Sequence, residues 1–189
     1  MAALTRPVRV AAALGLVALA FVVARTEPQD ELTFAPFVVR VDPGEVGEGR
    51  GLQAVVDDAV LADEATLGSW TGETDGVWLV VSTRMATTES GSLGYATLAV
   101  GERQWDASSR PGLQAMSSAL LDPGLPWSGA FLFELPADIA DDPAARDATI
   151  RLAHDPDTRM RTVVEVGVDL TALPREPIVD VAPKERITW

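Results

Sequence analysis

The chain reads as an all-β antiparallel sandwich preceded by one apolar helix. Three observations carry this. Residues 121–135 (LDPGLPWSGAFLFEL) set a turn, Asp122-Pro123-Gly124, ahead of a strand whose Phe131, Phe133 and Leu135 share one face. From about residue 33 the chain holds seven or eight short apolar runs divided by Gly, Pro and Asp turn signals. Residues 10–24 (VAAALGLVALAFVVA) carry no charge at all.

The N-terminal run comes first. Arg6 and Arg9 precede it, Arg25 closes it, and Glu27, Asp30 and Glu31 follow. Val10, Leu14, Leu16, Leu19, Phe21 and Val23 make it apolar all round. This is the layout of a secretory signal, and Ala18-Leu19-Ala20 and Val22-Val23-Ala24 both suit cleavage. An uncleaved anchor fits as well. Fifteen helical residues reach about 22 Å, and a snorkelling Arg25 brings that near the ~30 Å hydrocarbon core. Either way the basic end stays inside and the bulk of the chain goes outside. The expected organisation is therefore 1–26 signal-anchor or signal peptide, 27–173 extracytoplasmic sandwich and 174–189 extended tail. The expected location is the cell membrane, crossed once, with secretion as the alternative.

The remaining elements follow in order. Residues 33–41 are β-rich, and Pro36 makes them an edge strand. Residues 42–51 form a Gly-rich loop. In 52–62 Leu52, Ala54 and Val56 alternate as in a strand, while Leu52, Val55, Val56, Ala59 and Val60 also fit a helical stripe. Strand neighbours decide for strand. Residues 63–76 read as a long polar loop containing Trp70. Residues 77–85 (VWLVVSTRM) are the central strand, with Val77, Leu79, Val81 and Met85 on one face and Trp78 and Val80 on the other. Residues 93–105 form a hairpin turning at Gly101-Glu102. Residues 106–121 cross between sheets, 136–147 form an acidic loop, and 148–153 are a strand. His154 begins a turn, 154–158. Residues 160–170 alternate longest, with Met160, Thr162, Val164, Val166, Val168 and Leu170 inward. Pro174, Pro177 and Pro183 leave an extended tail.

The run Gly129-Ala130-Phe131-Leu132-Phe133-Glu134-Leu135-Pro136, after the Asp122-Pro123-Gly124 turn and the strand GVWLVV, resembles the telokin-like, immunoglobulin-fold secreted domains of actinobacteria. The resemblance spans residues 33–170. It implies an immunoglobulin-like antiparallel β-sandwich of seven to eight strands in an extracytoplasmic setting. It implies no catalytic residue.

Composition bounds the chemistry. The chain has 189 residues, 47% apolar, enough for one core and too apolar for a disordered chain. Three of its fifteen basic residues lie at Arg6, Arg9 and Arg25, so the remainder sets twelve against twenty-eight acids. Such a surface repels nucleic acid. Zero cysteines exclude disulfides, iron–sulfur clusters, thiolate zinc sites and a Cys nucleophile.

Candidate sites are few. His154, the only histidine, has no nucleophile motif beside it and reads as a solvated turn residue. Asp57/Asp58, Asp63/Glu64, Asp138/Asp141/Asp142 and Asp155/Asp157 are acidic clusters. Calcium needs six to eight converging oxygens, which the loops at 138–142 and 155–157 supply only if they share one end of the sandwich. Gly44, Gly47, Gly49 and Gly51 are not followed by a phosphate-binding lysine. Trp70, Trp78, Trp105 and Trp127 offer either a ligand platform or core plugs. Ile187 and Trp189, behind the Pro-spaced tail, either pack back across their own domain, the preferred reading, or are the candidate partner contacts. The leading expectation is a non-enzymatic cell-surface domain acting through protein–protein contact, accessory to a membrane transporter or envelope assembly, with an integral membrane protein as its partner. It has no cofactor, no metal and no catalytic residue, and it meets the membrane through its N-terminal helix. A ligand- or calcium-binding secreted module is the second expectation, a carboxylate-based hydrolase the third.

Overall fold

The computed structural model describes residues 6–26, 34–89 and 91–188. The chain divides into two units, Met1–Ala35 and Pro36–Trp189. The first holds α1 (Arg6–Thr26), the apolar helix expected from the uncharged run. Leu14, Leu16, Leu19 and Phe21 are all exposed. The side chains of Val10 and Val23 lie outside the description. Among the described residues, no helix is long and apolar enough to cross a membrane.

The second unit is a β-sandwich of thirteen strand segments among the described residues: β1 (Phe37–Val41), β2 (Gly47–Gly49), β3 (Leu52–Leu67), β4 (Trp70–Thr87), β5 (Ser92–Leu93), β6 (Tyr95–Val100), β7 (Arg103–Asp106), β8 (Leu120–Leu121), β9 (Trp127–Leu135), β10 (Ala148–Ala153), β11 (Thr162–Val168), β12 (Arg175–Val181) and β13 (Glu185–Arg186). One sheet runs β1-β11-β10-β6-β7. The other runs β12-β3-β4-β9-β13, with β2 also on β3, and β5 and β8 make a small ribbon. The main core lies between the sheets, built from Leu79, Val81, Phe131 and Phe133 against Leu98, Ile150, Val164 and Val166. The expected central strand, Phe strand and 93–105 hairpin are all present.

Four expectations need correction. First, the sandwich is not wholly antiparallel: β1 pairs parallel with β11, and β12 with β3. Sequence-distant segments fill those edge positions, and no tight turn forces them antiparallel.

Second, residues 63–76 are not a loop. They complete a long β3–β4 hairpin that turns at Gly68-Ser69, with Gly68 at φ 59°. Bulges between Val56 and Asp58 and between Ala62 and Glu64 hide the pattern. The first switches the core-facing set from Leu52, Ala54 and Val56 to Ala59 and Leu61. Each bulge shifts the inward residues from even to odd positions or back, turning a period of two into spacings that mimic a helix.

Third, Met160 is exposed at φ 57°, and β11 starts only at Thr162. The acidic segment 136–147 also holds two 3-10 turns, Ile139–Asp141 and Pro143–Asp147, that bury Ile139 and Ala145.

Fourth, residues 174–189 are extended as expected, but they are not a segment apart from a sandwich ending at 173: they add strands to it. β12 pairs with β3 at one edge of its sheet, and β13 pairs with β9 at the other. The intervening residues pass over the sheet's outer face: the Lys184 N–H donates to the Gln114 carbonyl at 3.0 Å and Lys184 Nζ to Ser118 Oγ at 2.5 Å. Pro177 is tolerated because β12 is an edge strand and its register skips that residue. Under this strap lies a second apolar cluster of Leu67, Trp78, Val80, Leu132 and Val181, joined by Ala115 from the crossover.

Deleting residues 174–189 is expected to uncover this cluster. Thermal and urea unfolding should show a loss of about 2 kcal/mol or more, with increased binding of an apolar dye. An unchanged melting temperature would mean that the strap does not hold the sheet.

Candidate functional site

β1 begins at one end of the sandwich, here the leading end, and the starts of β6, β9 and β11 and the end of β4 lie there too. Two features gather at this end: a cleft around His154 and a patch of exposed leucines.

The cleft is built by the turn from β10 to β11. Asp155 Oδ1 accepts the Asp157 N–H at 2.8 Å, and Asp157 Oδ1 accepts the Arg159 N–H at 3.2 Å. The Arg161 N–H closes the turn on the Thr158 carbonyl at 3.1 Å. Met160 between them takes its left-handed conformation, the only non-glycine to do so among the described residues. Such strain persists only where the surroundings impose it. The start of β3 is tied in from the side: Thr162 Oγ1 donates to the Arg50 carbonyl at 2.9 Å, and Thr87 Oγ1 to the Gly51 carbonyl at 2.7 Å. These elements enclose a cleft of about 290 Å³ lined by Arg50, Glu89, His154, Arg159, Met160, Arg161 and Thr162.

His154 is buried, with 2% of its surface exposed. This corrects the expected solvated residue: the turn doubles back and lays Arg161 against the ring. Arg161 Nη1 lies 3.1 Å from His154 Nε2, and Glu89 Oε2 lies 3.8 Å from the same atom. A guanidinium only donates, so Nε2 accepts and the neutral ring carries its proton on Nδ1. Nδ1 is buried and has no hydrogen-bond partner among the described residues. Burial first, and the Arg161 charge second, push the imidazole below its ordinary 6.5, while Glu89 and Asp155 pull the other way.

The other charged groups are dispersed. Asp57 pairs with Arg84, Asp63 with Arg175, Asp142 with Arg103, Asp155 with Arg161 and Asp157 with Arg159. The Arg159 guanidinium and N–H hold Asp157 down at about 2. The loops at 138–142 and 155–157 lie at opposite ends of the sandwich because β10 runs the length between them, so they do not converge on one ion. Among the described residues, no group of three or more acidic or histidine side chains could hold a metal.

The tryptophans are dispersed too. Trp78 is fully buried, its indole N–H donates to the Gly72 carbonyl at 3.0 Å, and Trp70 meets it edge-on at 5.5 Å. Trp105 packs on the main core under Arg103. Trp127 donates to the Leu120 carbonyl at 2.8 Å and is flanked by Lys184 and Arg186. They form no shared platform.

The leucine patch lies beside Trp127. Leu93 and Leu120 face each other across the β5–β8 ribbon and are 53% and 51% exposed, with Leu125 exposed on the following turn. Ile187, the expected partner contact, is half-buried, and its N–H donates to the Pro126 carbonyl at 3.0 Å. Trp189 lies outside the described residues.

Sequence reading singled out His154 but missed Arg50, Glu89, Arg159, Arg161, Leu93 and Leu120. One local signal existed: Arg159 and Arg161 follow the only histidine within eight residues. Arg50 and Glu89 come to the cleft only through strand pairing.

No protein-family model matches the chain, and no curated protein does. Among solved structures, the chain is similar to the crystal structure of an uncharacterised β-sandwich protein from Clostridium difficile 630. The two share 9% identity at a TM-score of 0.50, over 75% of this chain and 99% of that one. At that identity the likeness shows a shared β-sandwich fold.

Because the folded state holds His154 neutral, the unfolded chain binds a proton more readily just below pH 6.5. The contribution of His154 is therefore complete above 6.5 and is lost as pH falls toward its depressed folded value. The melting temperature should fall over that window. His154→Asn should flatten that part of the profile, whereas an equal slope in the variant would assign the effect to carboxylates.

Proposed function

We propose that this chain is a non-enzymatic extracytoplasmic β-sandwich that works by protein–protein contact, with an integral membrane protein as its partner. The observation that carries this reading is the Leu93–Leu120–Leu125 patch. Three large apolar side chains stand exposed together at the leading end of a strongly acidic domain, and such grouping on a soluble surface marks a contact site. β1 begins at this same end. A partner anchored in the same membrane is the occupant that this reading favours, because it takes the apolar residues 10–24 as the membrane segment. The chain-wide excess of acid favours a basic contact surface on that partner.

The non-enzymatic part of the reading is supported by how His154 is engaged. Its Nε2 is taken by Arg161, and no hydroxyl is bonded to the ring among the described residues. Residues 1–26 serve in this reading as signal-anchor or as cleaved signal. Kinship with telokin-like immunoglobulin-fold domains belongs to the same proposal, supported by the Asp122-Pro123-Gly124 turn that feeds β9.

A photo-crosslinking residue at position 120 of the full-length membrane-extracted chain is expected to capture one multi-pass membrane protein. Leu93→Asp should cut the yield about tenfold, as expected for a charge placed in an apolar contact. Recovery of uncrosslinked monomer alone would overturn the proposal. Mass spectrometry of the mature N-terminus should find residues near Met1 in the membrane pellet if α1 is an anchor, or Phe21 or Arg25 in the medium if it is a signal.

A further inference from the structure

The turn that joins β10 to β11 stands outside the ladder it connects. The β10–β11 register ends at Leu152↔Val164, so residues 153–163 make no pair of that ladder. The turn is held instead by contacts that converge on Arg161. The Arg161 carbonyl accepts the Phe37 N–H at 2.8 Å, which fastens the start of β1, and the Arg161 N–H closes on the Thr158 carbonyl. Its guanidinium donates to His154 Nε2 at 3.1 Å and reaches Asp155 at 3.3 Å. Met160 beside it keeps φ at 57°, a conformation that a non-glycine residue of this kind holds only under constraint.

The bond between Arg161 and His154 requires a neutral ring. A protonated imidazole has no lone pair to offer, so Nε2–H would face a guanidinium N–H, donor against donor and charge against charge. The surroundings give such a ring little relief. It is buried, and among the described residues its Nδ1 proton has no acceptor in either charge state. From the end of β4, Glu89 lies 3.8 Å from Nε2, farther than Arg161, and Arg50 before β3 draws on the same carboxylate. Within the turn, Asp155 and Asp157 are engaged by Arg161 and Arg159. From β6, Tyr95 is paired with Ala153, and its phenol, bonded to Asp106, stays neutral.

We propose that His154 and Arg161 form an acid-opened latch at the leading end of the sandwich. Protonation of His154 drives Arg161 off the ring, and the 153–163 turn opens. Met160 relaxes from its left-handed conformation, and β1 loses its first two pairs with β11, Phe37↔Thr162 and Val38↔Val163. The remaining β1 pairs, Val39↔Val164 to Val41↔Val166, lie alongside the β10–β11 ladder and stay closed. The latch therefore works inside a folded domain. It rests on no part of the leucine patch and goes beyond the contact function proposed above.

Opening takes up one proton, because the open ring regains its ordinary 6.5 while the closed ring titrates lower. The open population should rise by up to about tenfold per pH unit below that value, until the closed ring itself is protonated. Amide hydrogen exchange reads this directly. The full-length protein is held in a maltoside micelle and followed by NMR from about pH 7.5 to about pH 5.5, with and without dilute urea. Protection factors at Phe37 and Arg161 should fall by up to about tenfold per pH unit and should not respond to urea, since a local opening exposes little surface. The β4–β9 amides at Leu79 and Phe133 should keep higher protection, which urea lowers. In His154→Asn the pH dependence at Phe37 and Arg161 should vanish. If that variant does not fold, the ¹⁵N-imidazole titration of the unsubstituted protein decides. Its single ring should be neutral with the proton on Nδ1 and should titrate below 6.5. The proposal is overturned if Phe37 and Arg161 keep their protection as pH falls, or lose it only with the urea dependence of the core. A slope that survives His154→Asn, or a ring that titrates at or above 6.5, overturns it equally.

Discussion

The structure depends on the burial of β4 and β9 on both faces. Val77, Leu79 and Val81 of β4, with Phe131, Phe133 and Leu135 of β9, point between the sheets. Trp78, Val80, Ala130 and Leu132 point the other way and are equally buried. A sheet with two apolar faces needs cover on both, and each buried aromatic or aliphatic side chain contributes on the order of 1.5–3 kcal/mol. The first sheet covers one face. Nothing in a two-layer sandwich covers the other, so the crossover after β7 and the C-terminal strap take that role.

This arrangement separates the surfaces. The outer face of the first sheet stays wet and carries a ladder in which Glu165 receives both Arg40 and Arg151. Tyr95 on that sheet donates to Asp106, and its phenol is pushed up to about 12 by burial and then by that bond. On the covered sheet, Arg110 lies over the Trp78 ring and bonds Glu134, and the Thr74 hydroxyl first, with Arg110 after it, holds that carboxylate below its usual range. Exposed pairs of this kind contribute about 0–1 kcal/mol each. Their main effect is to distribute charge of both signs over the surface, the His154 turn included, where Arg159 and Arg161 face Asp157 and Asp155.

Much of the fold was legible in the chain. The Phe strand is bounded as its turn and closing proline suggest, because Asp122-Pro123-Gly124 and Pro136 are local signals that need no partner. The apolar second face at Trp78 and Val80 was legible too, since two-sided apolarity shows directly in the residue string. The β3–β4 hairpin was not. Its bulges reset the side-chain parity, and the polar residues 63–76 read as loop because the cover over Leu67 and Trp78 comes from segments distant in sequence. The prolines of the tail signalled extended backbone correctly. They gave no sign that the extended segment would become two sheet edges.

The candidate site divides the same way. His154 was visible as a singular residue, and its turn as a cluster of Asp and Pro. Its burial and its bond to Arg161 follow from the way the turn doubles back, and strand pairing brings Arg50 and Glu89 beside it. By itself the sequence determined the all-β class, the apolar N-terminal helix, the acidic surface and the main core strands. Each rests on local periodicity, turn chemistry or composition. Tertiary structure alone decided the parallel edge pairs, the strap over the second apolar face and the arginine-lined cleft, because long-range pairing sets which distant residues share a surface, and no local pattern encodes it.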